Sequence, residues 1–144
     1  MPKVVFFPHS DKEFDDEYAL RNWLDVELRL YRKGEYHMKK AQGLGELEEG
    51  SIVFFHRNNW VVGYAIVERS PRKTTKKERE RYGEEYENTV KFIPESISAW
   101  SDNQFLSRQE ANEIVGKQLL QGFPRVDELS QLLEIFKRVA NRSE

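Results

Sequence analysis

With no cysteine in the chain, the residues to weigh for chemistry are its histidines, paired carboxylates, serines and clustered rings. His9, His37 and His56 fall on three separate predicted elements, without the spacing of a helical or hairpin metal site. With no thiolate to offer, a zinc site would need distant carboxylates to converge. Asp15-Asp16, Glu48-Glu49 and Glu84-Glu85 are adjacent in sequence, a pattern of solvated surface more than of an acid–base dyad. No glycine-rich phosphate loop follows a strand, no nucleophile elbow is present, and no Ser–His–acid set can be argued. The reading is therefore noncatalytic, with no catalytic residue, metal ligand or cofactor expected. What the sequence does hold is rings beside cations. Tyr36, His37, Met38, Lys39 and Lys40 form one such cluster. Tyr82 and Tyr86 follow a second, made of Arg72, Lys73, Lys76, Lys77, Arg79 and Arg81, whose only acids are Glu78 and Glu80. Such a run is either a solvated surface insertion or an arm lying along a phosphate backbone, and charge alone leaves both readings open.

The element that must position these residues is a hairpin. Apolar runs at 52–55 and 60–67, rich in β-branched and aromatic residues, flank a polar turn at Arg57-Asn58-Asn59. Both runs are apolar at odd and even positions, so both faces should be covered, as in the wall of a small curved or closed sheet with helices outside. Gly63, mid-strand, marks a bulge or a close backbone approach. Before the hairpin, Val4-Val5-Phe6-Phe7 reads as a buried strand stopped at Pro8. A helix is predicted from about Asp15 to about Lys33, with Leu20, Leu24, Leu28 and Tyr31 on one stripe and Trp23, Val26 and Leu30 widening it. At that spacing Trp23 reads as core packing ahead of a ligand platform.

After the hairpin, residues 70–88 form the least ordered-looking segment, a charged insertion in which part could be a short helix. A strand returns over 88–93, with Val90 and Phe92 alternating against Thr89 and Lys91. Ser107-Arg108-Gln109-Glu110 has capping-box spacing and opens a short helix through about Ile114. Gln118-Leu119-Leu120 reads as a last strand. From Pro124 to about residue 141, Val126, Leu129, Leu132, Leu133, Phe136, Val139 and Ala140 make one apolar helical stripe.

Composition bounds the partners. At 144 residues the chain is one domain by length, with 38% hydrophobic and 33% charged residues. No run reaches the ~18 apolar residues of a membrane span, and the start of the chain is too short in apolar residues for a signal peptide. Together with the lack of cysteine this gives the expectation of a cytoplasmic protein with no membrane partner. Net charge is −2, so a nucleic-acid partner would be met by a local basic patch.

In this order the hairpin and the pieces after it resemble the PUA-like superfamily, especially its YTH and EVE branches. The residues that carry the resemblance are Val4 to Ser10, similar to a first strand that ends in polar residues, Gly50-Ser-Ile-Val-Phe-Phe, the return strand Val62-Gly63-Tyr64-Ala65-Ile66-Val67, the strand Val90-Lys91-Phe92-Ile93, and Ala99-Trp100-Ser101-Asp102-Asn103 followed by Ser107-Arg108-Gln109-Glu110. The resemblance spans about residues 3–123. It implies an α+β fold, a small curved or closed β-barrel of PUA-like type with flanking helices, in a single domain covering 1–144. It also implies that the domain holds nucleic acid against the sheet and takes one flipped base, often a modified one, into an aromatic pocket.

By position, the resemblance puts the stacking rings at Tyr36 (or Tyr31) and at Tyr82 with Tyr86, and the polar end of the first strand at His9 and Ser10. Arg108 matches an arginine that contacts the backbone. Arg72, Lys73, Lys76 and Lys77 would supply the basic arm. Trp60 has two readings, packed under the helix or a platform at the pocket mouth beside His56 and Asn58. Trp100 is expected to be structural. The chain departs from the YTH pattern in its cage, which in that branch is mainly tryptophan, whereas Trp23, Trp60 and Trp100 all lie outside the two cage loops. Either tyrosines stack the base or the pocket is altered.

The resulting expectation is a reader of a flipped, modified base, with DNA favoured over RNA. It would serve as the specificity module of a modification-dependent restriction or defence system, beside other domains or subunits. The alternatives are an RNA-binding PUA or ASCH-type domain and a protein-interaction module.

Overall fold

A computed structural model of the chain describes residues 3–10, 12–39, 47–116, 126 and 128–142. These residues form a mixed α+β fold built on one seven-stranded sheet. Strand β1 (Val4–His9) runs parallel to β3 (Ile52–Arg57), which turns back into β4 (Trp60–Lys73). The hairpin turns where expected, with Asn58 at φ 55°, a left-handed position that asparagine tolerates better than most residues. Gly63 answers to both of its predicted roles. The register shifts between Phe55 and His56 opposite it, and a Cβ on Gly63 would lie 2.2 Å from the Ser98 carbonyl oxygen of β6 (Ser98–Ala99).

The hairpin's second strand is much longer than the apolar run that announced it. β4 continues to Lys73, bulging twice, and its far half pairs with β5 (Asn88–Phe92), which in turn pairs with β2 (Glu35–Met38). The short β7 (Leu106–Ser107) also pairs with β4. The order is thus β1-β3-β4-β5-β2, with β1 and β2 as its two ends. Among the described residues no backbone ladder joins those ends, so the sheet is open and the expected closure into a barrel is not seen.

The segment expected to be least ordered is structured. Beyond the end of β4, Thr75 and Glu78 cap α2 (Lys76–Tyr82) reciprocally, each side chain bonding the other's backbone N–H. The first helix begins at Glu17, where Asp16 accepts from the Ala19 N–H at 2.8 Å. α1 (Glu17–Asn22) then continues over Trp23–Tyr31 in a wider, π-helical winding. That winding explains which stripe residues reach the core. More residues per turn keep four-residue neighbours aligned, so Leu20, Leu24 and Leu28 are fully buried. A three-residue neighbour swings away, leaving Tyr31, three after Leu28, 73% exposed, while Val26 and Leu30, each two residues after a buried leucine, face solvent.

Gly34 ends this helix at φ +88°, where a Cβ would meet the Phe92 carbonyl oxygen at 2.1 Å. Close contact there lets the chain enter β2 directly. The helix α3 (Arg108–Val115) is capped by Ser107 as its spacing predicts. The terminal helix α4 (Leu129–Asn141) buries Ile135 and Val139 and lays Phe136 against Phe54 and Tyr64. Trp100 is buried beside the same two rings, the structural place expected of it. The strand expected at 118–120 lies outside the described residues.

Candidate functional site

The two open ends of the sheet face each other across a cavity of about 590 Å³. β1 contributes Phe7, Pro8 and His9, and β2 contributes Tyr36, His37 and Met38, with Lys39 just beyond it. The turn after β1 adds Lys12, Glu13 and Phe14, the helix adds Trp23 and Arg32, and the segment between α2 and β5 adds Tyr86. In place of a backbone ladder, a side-chain hydrogen bond spans the gap: the Tyr36 hydroxyl and His9 Nε2 are 2.7 Å apart.

Rings set the shape of the cavity. Phe14 meets Trp23 edge-on at 5.7 Å between centroids, and Trp23 meets Tyr36 edge-on at 5.9 Å. Phe7 lies 5.8 Å from Tyr36. The edge-on contacts hold Phe14, Trp23 and Tyr36 at steep angles to one another along the cavity wall. Cations stand at Trp23 and at two neighbouring tyrosines. The Arg32 guanidinium lies 5.3 Å from the Trp23 ring and 4.4 Å from the Tyr82 ring, and is paired with Glu27 at 3.0 Å. The Lys39 ammonium lies 5.7 Å from the Tyr86 ring.

Burial controls the ionisable groups. His9 is buried, and loss of solvent takes its pKa down to about 4, against the opposing pull of the His56 and Phe7 carbonyls. The same loss of solvent raises the Tyr36 phenol, reinforced by the nearby Glu13 carboxylate. Glu13 itself is raised by burial, with Lys39 opposing. The result is a lining of neutral His9 and Tyr36, rimmed by Lys12, Arg32 and Lys39.

Of the residues predicted from sequence, His9, Tyr36 and Tyr86 are brought together in this cavity. Tyr82 sits one layer behind, stacked on the His37 ring at 4.5 Å. Ser10 is exposed past the end of β1, and its carbonyl accepts from the N–H groups of Glu13 and Phe14 to form the turn. His56 is buried against the Phe6 ring, and its carbonyl oxygen lies 3.3 Å from His9 Nδ1. Asn58 and Trp60 lie at the hairpin tip, outside the cavity lining, with Trp60 paired in register to Arg57 and Ser107. Arg108 starts α3 there, its N–H bonding the Asn59 carbonyl at 2.6 Å.

In the basic run, Arg72 is held by Glu78 at 2.8 Å and Glu35 at 3.1 Å, which fastens α2 to β2. Lys73, Lys76 and Lys77 are exposed. Tyr31, the alternative to Tyr36, points to solvent away from the cavity. Sequence reasoning missed Phe14 and Arg32, and it ranked core packing ahead of a ligand platform for Trp23. It also missed Arg57, buried on β3, which donates to the carbonyls of Phe14 at 2.9 Å and Asp15 at 3.0 Å and so fixes the turn wall. Among the described residues no group of three His, Cys, Asp or Glu side chains comes together as a metal site. No protein-family model matches the chain, and no curated protein matches it either.

Proposed function

We propose that this protein is a noncatalytic reader of nucleic acid that takes a single extruded base into the cavity between β1 and β2. The observation that carries this reading is the cavity itself: about 590 Å³, walled by Phe14, Trp23, Tyr36 and Tyr86 and rimmed by Lys12, Arg32 and Lys39. Its volume lies within the roughly 300–1,000 Å³ of small-ligand pockets. A flipped base needs ring faces to stack on and a few polar atoms for its edge, while its flanking phosphates need cations. In this reading the tryptophan absent from the two loops is supplied by the helix, as Trp23.

The same proposal includes membership of the PUA-like superfamily near its YTH and EVE branches. A modified base in DNA is favoured over RNA, in the specificity module of a modification-dependent restriction or defence system. Supporting it are the β3–β4 hairpin at the centre of the sheet and a pocket placed beside the polar end of β1. Fluorescence titration with methylated and unmethylated DNA and RNA oligonucleotides at two salt concentrations tests it. Salt-dependent binding that quenches tryptophan is expected, and no binding at low salt ends the proposal. Preference for unmodified single-stranded RNA would select the RNA-processing alternative.

One observation favours a second reading, a protein-interaction module: Leu129 and Leu133, one turn apart on α4, are 69% and 58% exposed. That reading predicts no salt-dependent oligonucleotide binding.

A further inference from the structure

One wall of the cavity carries a short chain of hydrogen bonds whose direction is set at its far end. His9 Nδ1 lies 3.3 Å from the His56 carbonyl oxygen, and a carbonyl only accepts, so Nδ1 holds the proton. His9 is buried and neutral at ordinary pH, so the ring has no second proton. Nε2 is therefore a bare acceptor. It lies 2.7 Å from the Tyr36 hydroxyl, which must donate to it. A hydroxyl has one proton to give. With that proton committed to His9, Tyr36 Oη has only lone pairs left for the cavity.

We infer that His9 sets the hydrogen-bond polarity of this pocket: it fixes Tyr36 Oη as an acceptor, so the ligand edge that reaches it must present an N–H donor. The inference rests on the base-reading function proposed above and adds a chemical requirement to it. Adenine and cytosine meet the requirement through their exocyclic amines, and a singly N-methylated amine still does. Purine and pyrimidin-2-one, once attached to sugar, have only acceptors along that edge and would set a lone pair against Tyr36 Oη. His9 acts as a positioning residue, through Tyr36.

Two measurements on the full chain test this. The first needs no ligand: long-range proton–nitrogen correlation of the histidine rings. The expected result is a His9 ring protonated at Nδ1 and bare at Nε2, and a ring protonated at Nε2 overturns the inference. The second titrates oligonucleotides carrying one adenine or one purine within an abasic tract, and one cytosine or one pyrimidin-2-one likewise. Wild type should prefer the amine-bearing base by about tenfold, the worth of a hydrogen bond in a desolvated site.

His9→Gln should keep that ratio, because its amide can donate to His56 and accept from Tyr36. His9→Phe should bring the ratio near one, because the Tyr36 hydroxyl is then free to turn and donate. Tyr36→Phe should do the same. A purely structural role for His9 would weaken both bases alike and leave the ratio unchanged in His9→Phe, which would overturn the inference. Absence of binding to every oligonucleotide would instead refute the base-reading function, with the ring-proton measurement still deciding the state of His9.

Discussion

The Arg57 guanidinium, buried at the end of β3, donates from Nε to the Phe14 carbonyl at 2.9 Å and from Nη2 to the Asp15 carbonyl at 3.0 Å, tying the turn after β1 to the β3–β4 hairpin. The turn carries Lys12, Glu13 and Phe14, one wall of the cavity. Arg57→Met keeps the stem and removes both bonds. Stability should fall by about 2 kcal/mol, the scale of lost hydrogen bonds to a charged group. Base binding should fall as well, because Phe14 loses its fixed place against Trp23. Urea melts and oligonucleotide titration check this, and unchanged affinity would separate the turn from the site.

Trp23 separates stacking from packing. It is only partly buried, whereas its neighbour Leu24 is fully enclosed. Trp23→Ala should weaken oligonucleotide binding by roughly 10- to 100-fold, the ~1–3 kcal/mol of one base–ring stack. Leu24→Ala should instead cost about 2–5 kcal/mol of stability through the cavity it leaves. If Trp23→Ala lowers the melting temperature as much as Leu24→Ala while leaving affinity intact, Trp23 is a core residue after all.

Much of this architecture was readable from local pattern, and the exceptions have physical causes. The hairpin, the four-residue spacing of Leu20, Leu24 and Leu28, and the Ser107–Glu110 cap depend on near neighbours, and each appears where its spacing puts it. The extension of β4 to Lys73 depends on pairing with β5, which no apolar run announces. The Thr75–Glu78 cap has the same spacing as Ser107–Glu110 but lies among lysines and arginines, so the charge pattern hid it. His9, Tyr36 and Tyr86 were reached through a family resemblance. Trp23 adjoins the buried stripe in sequence, and only the tertiary arrangement leaves its ring on a cavity. Arg57 acts on residues more than 40 positions away, a relationship that no local spacing encodes.

Acid should loosen the fold before it touches most carboxylates. His9 falls from its ordinary 6.5 to about 4 on folding, because the charged ring would be buried. A group with a lowered folded value binds protons more readily in the unfolded chain, so its stabilisation is complete above pH 6.5 and drains away as pH falls toward 4. The full effect is about 3 kcal/mol at 1.36 kcal/mol per pH unit. His37, also lowered by burial, acts in the same direction, while Glu78, held down to about 2 by Arg72, acts only below about pH 4.5. Urea midpoints at pH 7 and pH 5 should differ in wild type and differ less in His9→Gln. An identical drop in both would assign the acid sensitivity elsewhere.

Salt dependence can locate the phosphate track. Each ammonium that neutralises a phosphate of a single strand adds about 0.7 to the slope of log affinity against log salt. Lys12 and Lys39 line the cavity, so Lys12→Ala and Lys39→Ala should each reduce the slope by about that amount. Arg72 is occupied by Glu35 and Glu78, and its loss acts on a different quantity. Arg72→Ala should release α2 from β2, lower stability and loosen Tyr82 from His37, with little change in the slope. Lys76→Ala and Lys77→Ala ask whether the exposed start of α2 extends the track. A slope reduced by these two but not by Lys12→Ala or Lys39→Ala would put the phosphates along α2 and leave the cavity without its rim contacts.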